Sequence, residues 1–208
     1  MANDCAGLAS GSDPESTHTF GCFTRDGIFV RTFAAPQLHD LVYVVAAHEL
    51  LHAAYQQTRG PAKVTLENDL MAARAGNSVL EDRLKIYAEN GTDSLSEVHS
   101  VLGTEFADLS PSLEAHYNLY FDRAKILAAY TRTLGDRDAE TRSLVETVDT
   151  TEQQLEQQRS ELDALKASGD LRTYNARVPG FNALVDQHNA AVRRLNQLRD
   201  ELKALLAT

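Results

Sequence analysis

Val44-Val45-Ala46-Ala47-His48-Glu49-Leu50-Leu51-His52-Ala53-Ala54-Tyr55 is the stretch that decides how this 208-residue chain is read. It is an apolar, alanine-rich run without Gly or Pro, so the expected conformation is a helix. One helical turn separates His48 from His52, and both imidazoles point the same way, within reach of one ion. Glu49 lies just off that line, where a carboxylate can hold a water beside a metal without ligating it. Two nitrogen ligands, a base beside them and an open coordination position are what a hydrolytic zinc site requires. Leu41, Val44, Val45, Leu51 and Tyr55 give this helix an apolar face, so the histidines lie along a helix that packs into a core.

Composition narrows the possibilities around that helix. At 43% hydrophobic residues, the chain can build one medium domain and an appendage. Aromatics make up only 7% and Trp is absent, which disfavours a large β core. A formal net charge of −10, with the 20 Lys and Arg scattered, repels phosphate backbones and argues against nucleic acid and membrane-surface binding. The longest wholly apolar run, Leu41 to Ala47, is far too short to cross a bilayer. Residues 1–19 read as a linker or tail that follows an upstream segment. Cys5 and Cys22 have no neighbours at zinc-finger spacing; a disulfide between them is the simplest reading, and it implies an exported protein.

Aromatic and β-branched residues from Phe20 to Phe33 flank the turn dipeptide Asp26-Gly27, which predicts a short hairpin, placed to run beside a substrate cleft. Asp40 or its neighbour is the expected cap of the histidine helix, and Gly60-Pro61 its stop. Further helices are expected from Val64 to Ala75, from Ser78 to Glu89, from a cap at Asp93 through Leu102, and from Ser110-Pro111 to near Gly135. From Thr141 onward, apolar residues recur at alternating gaps of three and four. Leu144, Val148, Leu155, Leu162 and Leu165 form one run; Leu171, Tyr174, Val178, Phe181, Val185, His188, Val192, Leu195 and Leu202 form the next. Broken at Ser168-Gly169-Asp170, these segments predict an antiparallel coiled-coil hairpin, with His188 packed in its seam and Pro179 kinking or beginning the second arm.

A catalytic site needs a third ligand, and Glu97, His99, Glu105, Asp108, Glu114 and His116 are the candidates. Glu97 and Glu105 are eight residues apart, so a continuous helix puts both on one face. Gly103 permits close backbone approach, which favours Glu105 first and Glu97 second. Asp108 could orient a histidine from outside the ligand set. His116 or Tyr117 could donate to a developing oxyanion, or simply pack.

With these residues in view, the chain resembles the zincin metallopeptidases of the gluzincin type, matching at His48, Glu49 and His52, with Glu105 as third ligand. The segments His-Glu-Leu-Leu-His-Ala-Ala-Tyr, Gly-Thr-Glu and Leu-Glu-Ala-His-Tyr also resemble bacterial proteins, many of them actinobacterial, with a membrane anchor, an extracytoplasmic body and a coiled-coil tail. The resemblance spans Phe20 to Tyr130. It lacks the third His of metzincins and the Asn-Glu-x-x-x-Asp form of thermolysin-like enzymes. What it implies is a mainly α protein: a tail over 1–19, a small zincin-like helical domain with a short N-terminal β-hairpin over 20–135, and the hairpin over 136–208. The implied activity is Zn2+-dependent hydrolysis of a peptide or protein substrate, with Glu49 as general base. The implied location is extracytoplasmic, with membrane contact only through an upstream anchor. The competing expectation is a non-catalytic scaffold that binds a protein partner through the coiled coil, its metal site inert or structural.

Overall fold

The computed structural model describes residues 20–89 and 94–206, with side chains for all of these but 86–89 and 206. The tail over 1–19, Cys5 and the expected cap Asp93 lie outside them. The described chain is mainly helical, with one two-stranded antiparallel sheet near its start, and it divides into two compact units, Met1–Gly135 and Asp136–Thr208.

Unit one opens with the hairpin, β1 (Gly21–Thr24) paired to β2 (Gly27–Val30). Its connecting residues are Arg25 and Asp26, one position before the dipeptide expected from sequence. Gly27 instead starts β2 at φ +144°, which only glycine adopts readily. After a 3-10 turn (Pro36–Leu38), the described residues form six α-helices: α1 (Leu41–Gln57), α2 (Gly60–Arg74), α3 (Ser78–Glu89), α4 (Leu95–Glu105), α5 (Pro111–Tyr117) and α6 (Arg123–Tyr130). Local chemistry accounts for most of their ends. Pro61 is not merely a stop for α1: it sits in the first turn of α2, where its missing N–H costs nothing, so α2 begins earlier than expected. Ser94 and Ser110 cap α4 and α5, accepting from the N–H groups of Glu97 and Leu113. Asp40 stands at the start of α1 but makes no cap; its carboxylate accepts from Arg132 at 2.7 Å instead.

The single helix expected from Pro111 to Gly135 is two helices and a π-turn. Asp122 breaks it by capping α6 through the Lys125 N–H. Arg123 is buried against the ring of Tyr117, and its guanidinium bonds Glu114 and the carbonyls of Leu102 and Phe106. A buried cation that satisfies carbonyls at the end of α4 and the carboxylate of Glu114 could not do so from a straight continuation of α5.

The core of this unit joins Leu51 of α1 to Leu66 and Leu70 of α2, Leu80 and Leu84 of α3, Val98, Val101 and Leu102 of α4, and Leu113 and Tyr117 of α5. Each such side chain contributes about 1.5–3 kcal/mol by leaving water. The closest approach is at Gly103. A Cβ there would collide with Leu51 Cδ1 and come within 2.7 Å of Tyr117 Cε1.

Unit two is two long helices, α7 (Asp136–Ser168) and α8 (Leu171–Leu206), joined through Gly169 at φ +78°. The contacts Glu140–Arg194, Thr151–His188 and Glu161–Arg177 pair rising with falling residue numbers, so the chain runs back along itself. Pro179 neither begins nor ends α8; it lies inside it, at the cost of one backbone hydrogen bond. Leu184, Ala191 and Leu198, seven residues apart, are the buried positions of α8, a column beside the expected seam. His188 is half-buried, its Nδ1 3.0 Å from Thr151 Oγ1. Among the described residues, no helix is long and apolar enough to cross a membrane.

Replacing Gly103 by Ala is expected to lower the unfolding free energy by a net of about 1–3 kcal/mol, because neither buried neighbour can yield without opening the core. Urea denaturation followed by circular dichroism measures this; an unchanged midpoint contradicts it.

Candidate metal centre

Helix α1 presents His48 and His52 as its sequence requires, with ring centroids 4.9 Å apart and planes at 74°. The first turn of α4 meets them. Glu97 Oε2 lies 3.5 Å from His48 Nε2, and Oε1 lies 3.6 Å from His52 Nε2. One ligand atom from each of the three residues falls within 4.8 Å of the others, so the group could hold a metal ion.

These separations are too long for hydrogen bonds. Each runs to a different Glu97 oxygen, and each is of the size found between donors that share an ion, since ligands about 2.0–2.2 Å from a tetrahedral centre stand about 3.3–3.6 Å apart. A second observation agrees. Glu97 Oε2 is buried without a hydrogen-bond partner, although an orphaned carboxylate oxygen costs several kcal/mol unless some cation satisfies it. Two imidazole nitrogens and a carboxylate are a donor set that zinc accepts. Neutral imidazole is the ligating form, and burial, with His48 beside it, pushes the His52 pKa down to about 4.

Glu49 points to the hairpin side. It is 8% exposed, and burial pushes its pKa up to about 6, against the opposing influence of His48. Strand β1 covers it. Gly21 leaves no room for a side chain, since a Cβ there would stand 2.5 Å from Val45 Cγ1 and 3.2 Å from Glu49 Oε1. The Phe23 backbone amide also hydrogen-bonds the Glu49 carboxylate. A carboxyl tuned towards neutrality beside three ligand-type groups is suited to take up and release a proton.

The other candidates are placed elsewhere. Glu105, the first choice from sequence, is not brought to the histidines: Arg83 of α3 holds its two oxygens at 2.6 and 3.0 Å. Eight helical residues rise about 12 Å, so one ion cannot be reached from both ends of α4. Gly103, which argued for Glu105, serves the contact with Leu51 and Tyr117 instead. Asp108 is exposed in the turn after α4, at φ +55°. Glu114 pairs with Arg123. His99 is fully buried, with Nδ1 3.2 Å from the Leu51 carbonyl and Nε2 2.9 Å from His116 Nε2. A carbonyl only accepts, so Nδ1 carries the His99 proton and His116 Nε2–H donates to His99 Nε2. Burial, then the neighbouring His116, pushes His99 down to about 3, so it stays neutral. The Tyr117 hydroxyl is committed to the His99 backbone carbonyl at 2.9 Å.

Two participants escaped the sequence reading. Ser96 Oγ lies 2.8 Å from His52 Nδ1, and β1 closes over Glu49. The first had a faint signal in Ser94-x-x-Glu97, a capping-box spacing that fixes the helix start and so puts Ser96 and Glu97 in its first turn. The second had none, because Gly21 reads as an ordinary hairpin glycine. No protein-family model, curated protein or solved structure matches the chain.

If zinc is shared by His48, His52 and Glu97, Glu97→Ala is expected to weaken zinc binding by about 100-fold or more, since it removes one of the three donors. Glu105→Ala is expected to leave zinc affinity unchanged while costing about 1–3 kcal/mol of stability through the stranded Arg83. Chelator competition and urea denaturation on both variants separate the two roles; loss of zinc in Glu105→Ala instead would reverse the assignment.

Proposed function

We propose that the chain is a zinc-dependent peptidase whose ion is held by His48, His52 and Glu97 and whose general base is Glu49. The observation that carries this reading is the juxtaposition of a three-donor group at ion-sharing distances with a buried carboxyl raised to about 6. A bound zinc ion supplies Lewis acidity to the scissile carbonyl and to water. The protein's own residues do the rest. Glu49, held by the Phe23 amide under β1, accepts the proton of the attacking water and delivers it to the departing amine nitrogen. Burial of Glu49 keeps its proton affinity high enough for both transfers near neutral pH. His48 and His52, on one face of α1, and Glu97, at the start of α4, fix the position around which water and substrate are arranged.

An extracytoplasmic location is part of the proposal. Its support is that Cys22, buried in β1, is disulfide-bonded, as expected of a protein in an oxidising compartment. The second unit, read as a coiled-coil hairpin, is proposed to engage a protein partner. It is a compact unit of its own, and no metal-ligand group is found among its described residues. If the metal site is only structural, that unit carries the function.

Purified protein is expected to hold about one zinc per chain and to cleave members of a peptide library. Glu49→Gln should keep the zinc and lose cleavage by about 100-fold or more. Metal analysis beside a fluorescence-quenched peptide assay checks both; a Glu49→Gln protein that cleaves at the wild-type rate removes Glu49 as the base.

A further inference from the structure

The two ring nitrogens of His52 have different neighbours. Nε2 faces Glu97 Oε1 at 3.6 Å, and Nδ1 lies 2.8 Å from Ser96 Oγ. We propose that Ser96 is a positioning residue of the metal centre, its Oγ accepting a hydrogen bond from His52 Nδ1–H so that Nε2 is left bare towards the ion. The inference rests on the reading of His48, His52 and Glu97 as a cation site.

A neutral imidazole carries one proton, and ligation through Nε2 requires that proton on Nδ1. In a half-buried ring that N–H needs an acceptor, and Ser96 Oγ stands at hydrogen-bonding distance. Without an ion the opposite tautomer is also served. The Ser96 hydroxyl can turn to donate to Nδ1 while Nε2–H faces the Glu97 carboxylate. A hydroxyl both donates and accepts; a carboxylate in its place could only accept and would hold the Nδ1–H form permanently. Serine therefore makes the ligating tautomer available without enforcing it.

The placement also explains how one short segment builds half the site. With Ser94 as cap, Ser96 and Glu97 are the second and third residues of α4. One supplies the brace for His52 and the other the third ligand, at a spacing set by the helix itself. A shift of α4 would displace both together.

The test uses the full chain with Ser96→Ala, Ser96→Thr and Ser96→Asp, reading zinc affinity by chelator competition and the His52 tautomer by 15N NMR of the imidazoles. Ser96→Ala is expected to bind zinc about 10–100-fold more weakly. Ser96→Thr should stay close to wild type. Ser96→Asp should bind more tightly and show the Nδ1–H tautomer even without metal. If wild type binds zinc and Ser96→Ala binds it equally well with an unchanged His52 spectrum, Ser96 has no positioning role, and the metal reading stands. If wild type binds no zinc, the metal reading itself fails and the proposal with it. Should Ser96→Ala not fold, an unchanged affinity and tautomer in Ser96→Asp overturn the proposal equally well.

Discussion

The close crossing of α1 and α4 is the constraint on which the candidate site depends. Gly103 lets α4 lie against Leu51 and Tyr117 at a distance no side chain would permit. The same contact sets His99 Nδ1 on the Leu51 carbonyl and the Tyr117 hydroxyl on the His99 carbonyl. With the middle of α4 pinned, its first turn falls opposite His48 and His52, and its last residue falls beside Arg83. Packing that excludes water and satisfies buried polar groups thus determines which carboxylate meets the histidines.

That arrangement places unfavourable electrostatics where function would use them. Glu97 brings an unpartnered buried oxygen to two imidazoles without a hydrogen bond to either. Glu49 is buried beside it under a strand, where the influence of His48 only partly offsets the cost of burial. Neither feature helps the isolated chain to fold. Both become favourable once a cation is shared among the donors, because the ion supplies the missing partner for Glu97 and lowers the cost of a second carboxylate nearby. The apolar residues of α1 to α5 provide the stability that tolerates this.

Much of this architecture could be read from the chain. The His48–His52 spacing, the start of α3 and the break at Gly169 follow from periodicity, caps and glycine chemistry, which act over a few residues. Which glutamate meets the histidines could not be chosen that way. Glu97 and Glu105 share one helical face, and periodicity has no means of telling which end of that face meets α1. The partner that removes Glu105, Arg83, is 22 residues away. Elsewhere the misreadings were local. Pro61 suits the first turn of a helix as well as the end of one, and Asp122 is a cap set inside an otherwise helical pattern. Leu184, Ala191 and Leu198 are not singled out by periodicity, because Val178, Val185 and Val192 offer a rival apolar column of the same seven-residue spacing.

The most direct measurement is anomalous diffraction at the zinc edge from crystals of the zinc-loaded protein. The expected result is one anomalous peak with His48 Nε2, His52 Nε2 and a Glu97 oxygen about 2.0–2.2 Å away, and a remaining position open to water. A peak at Glu105, four protein ligands around the ion, or no peak near His48 and His52 would contradict it.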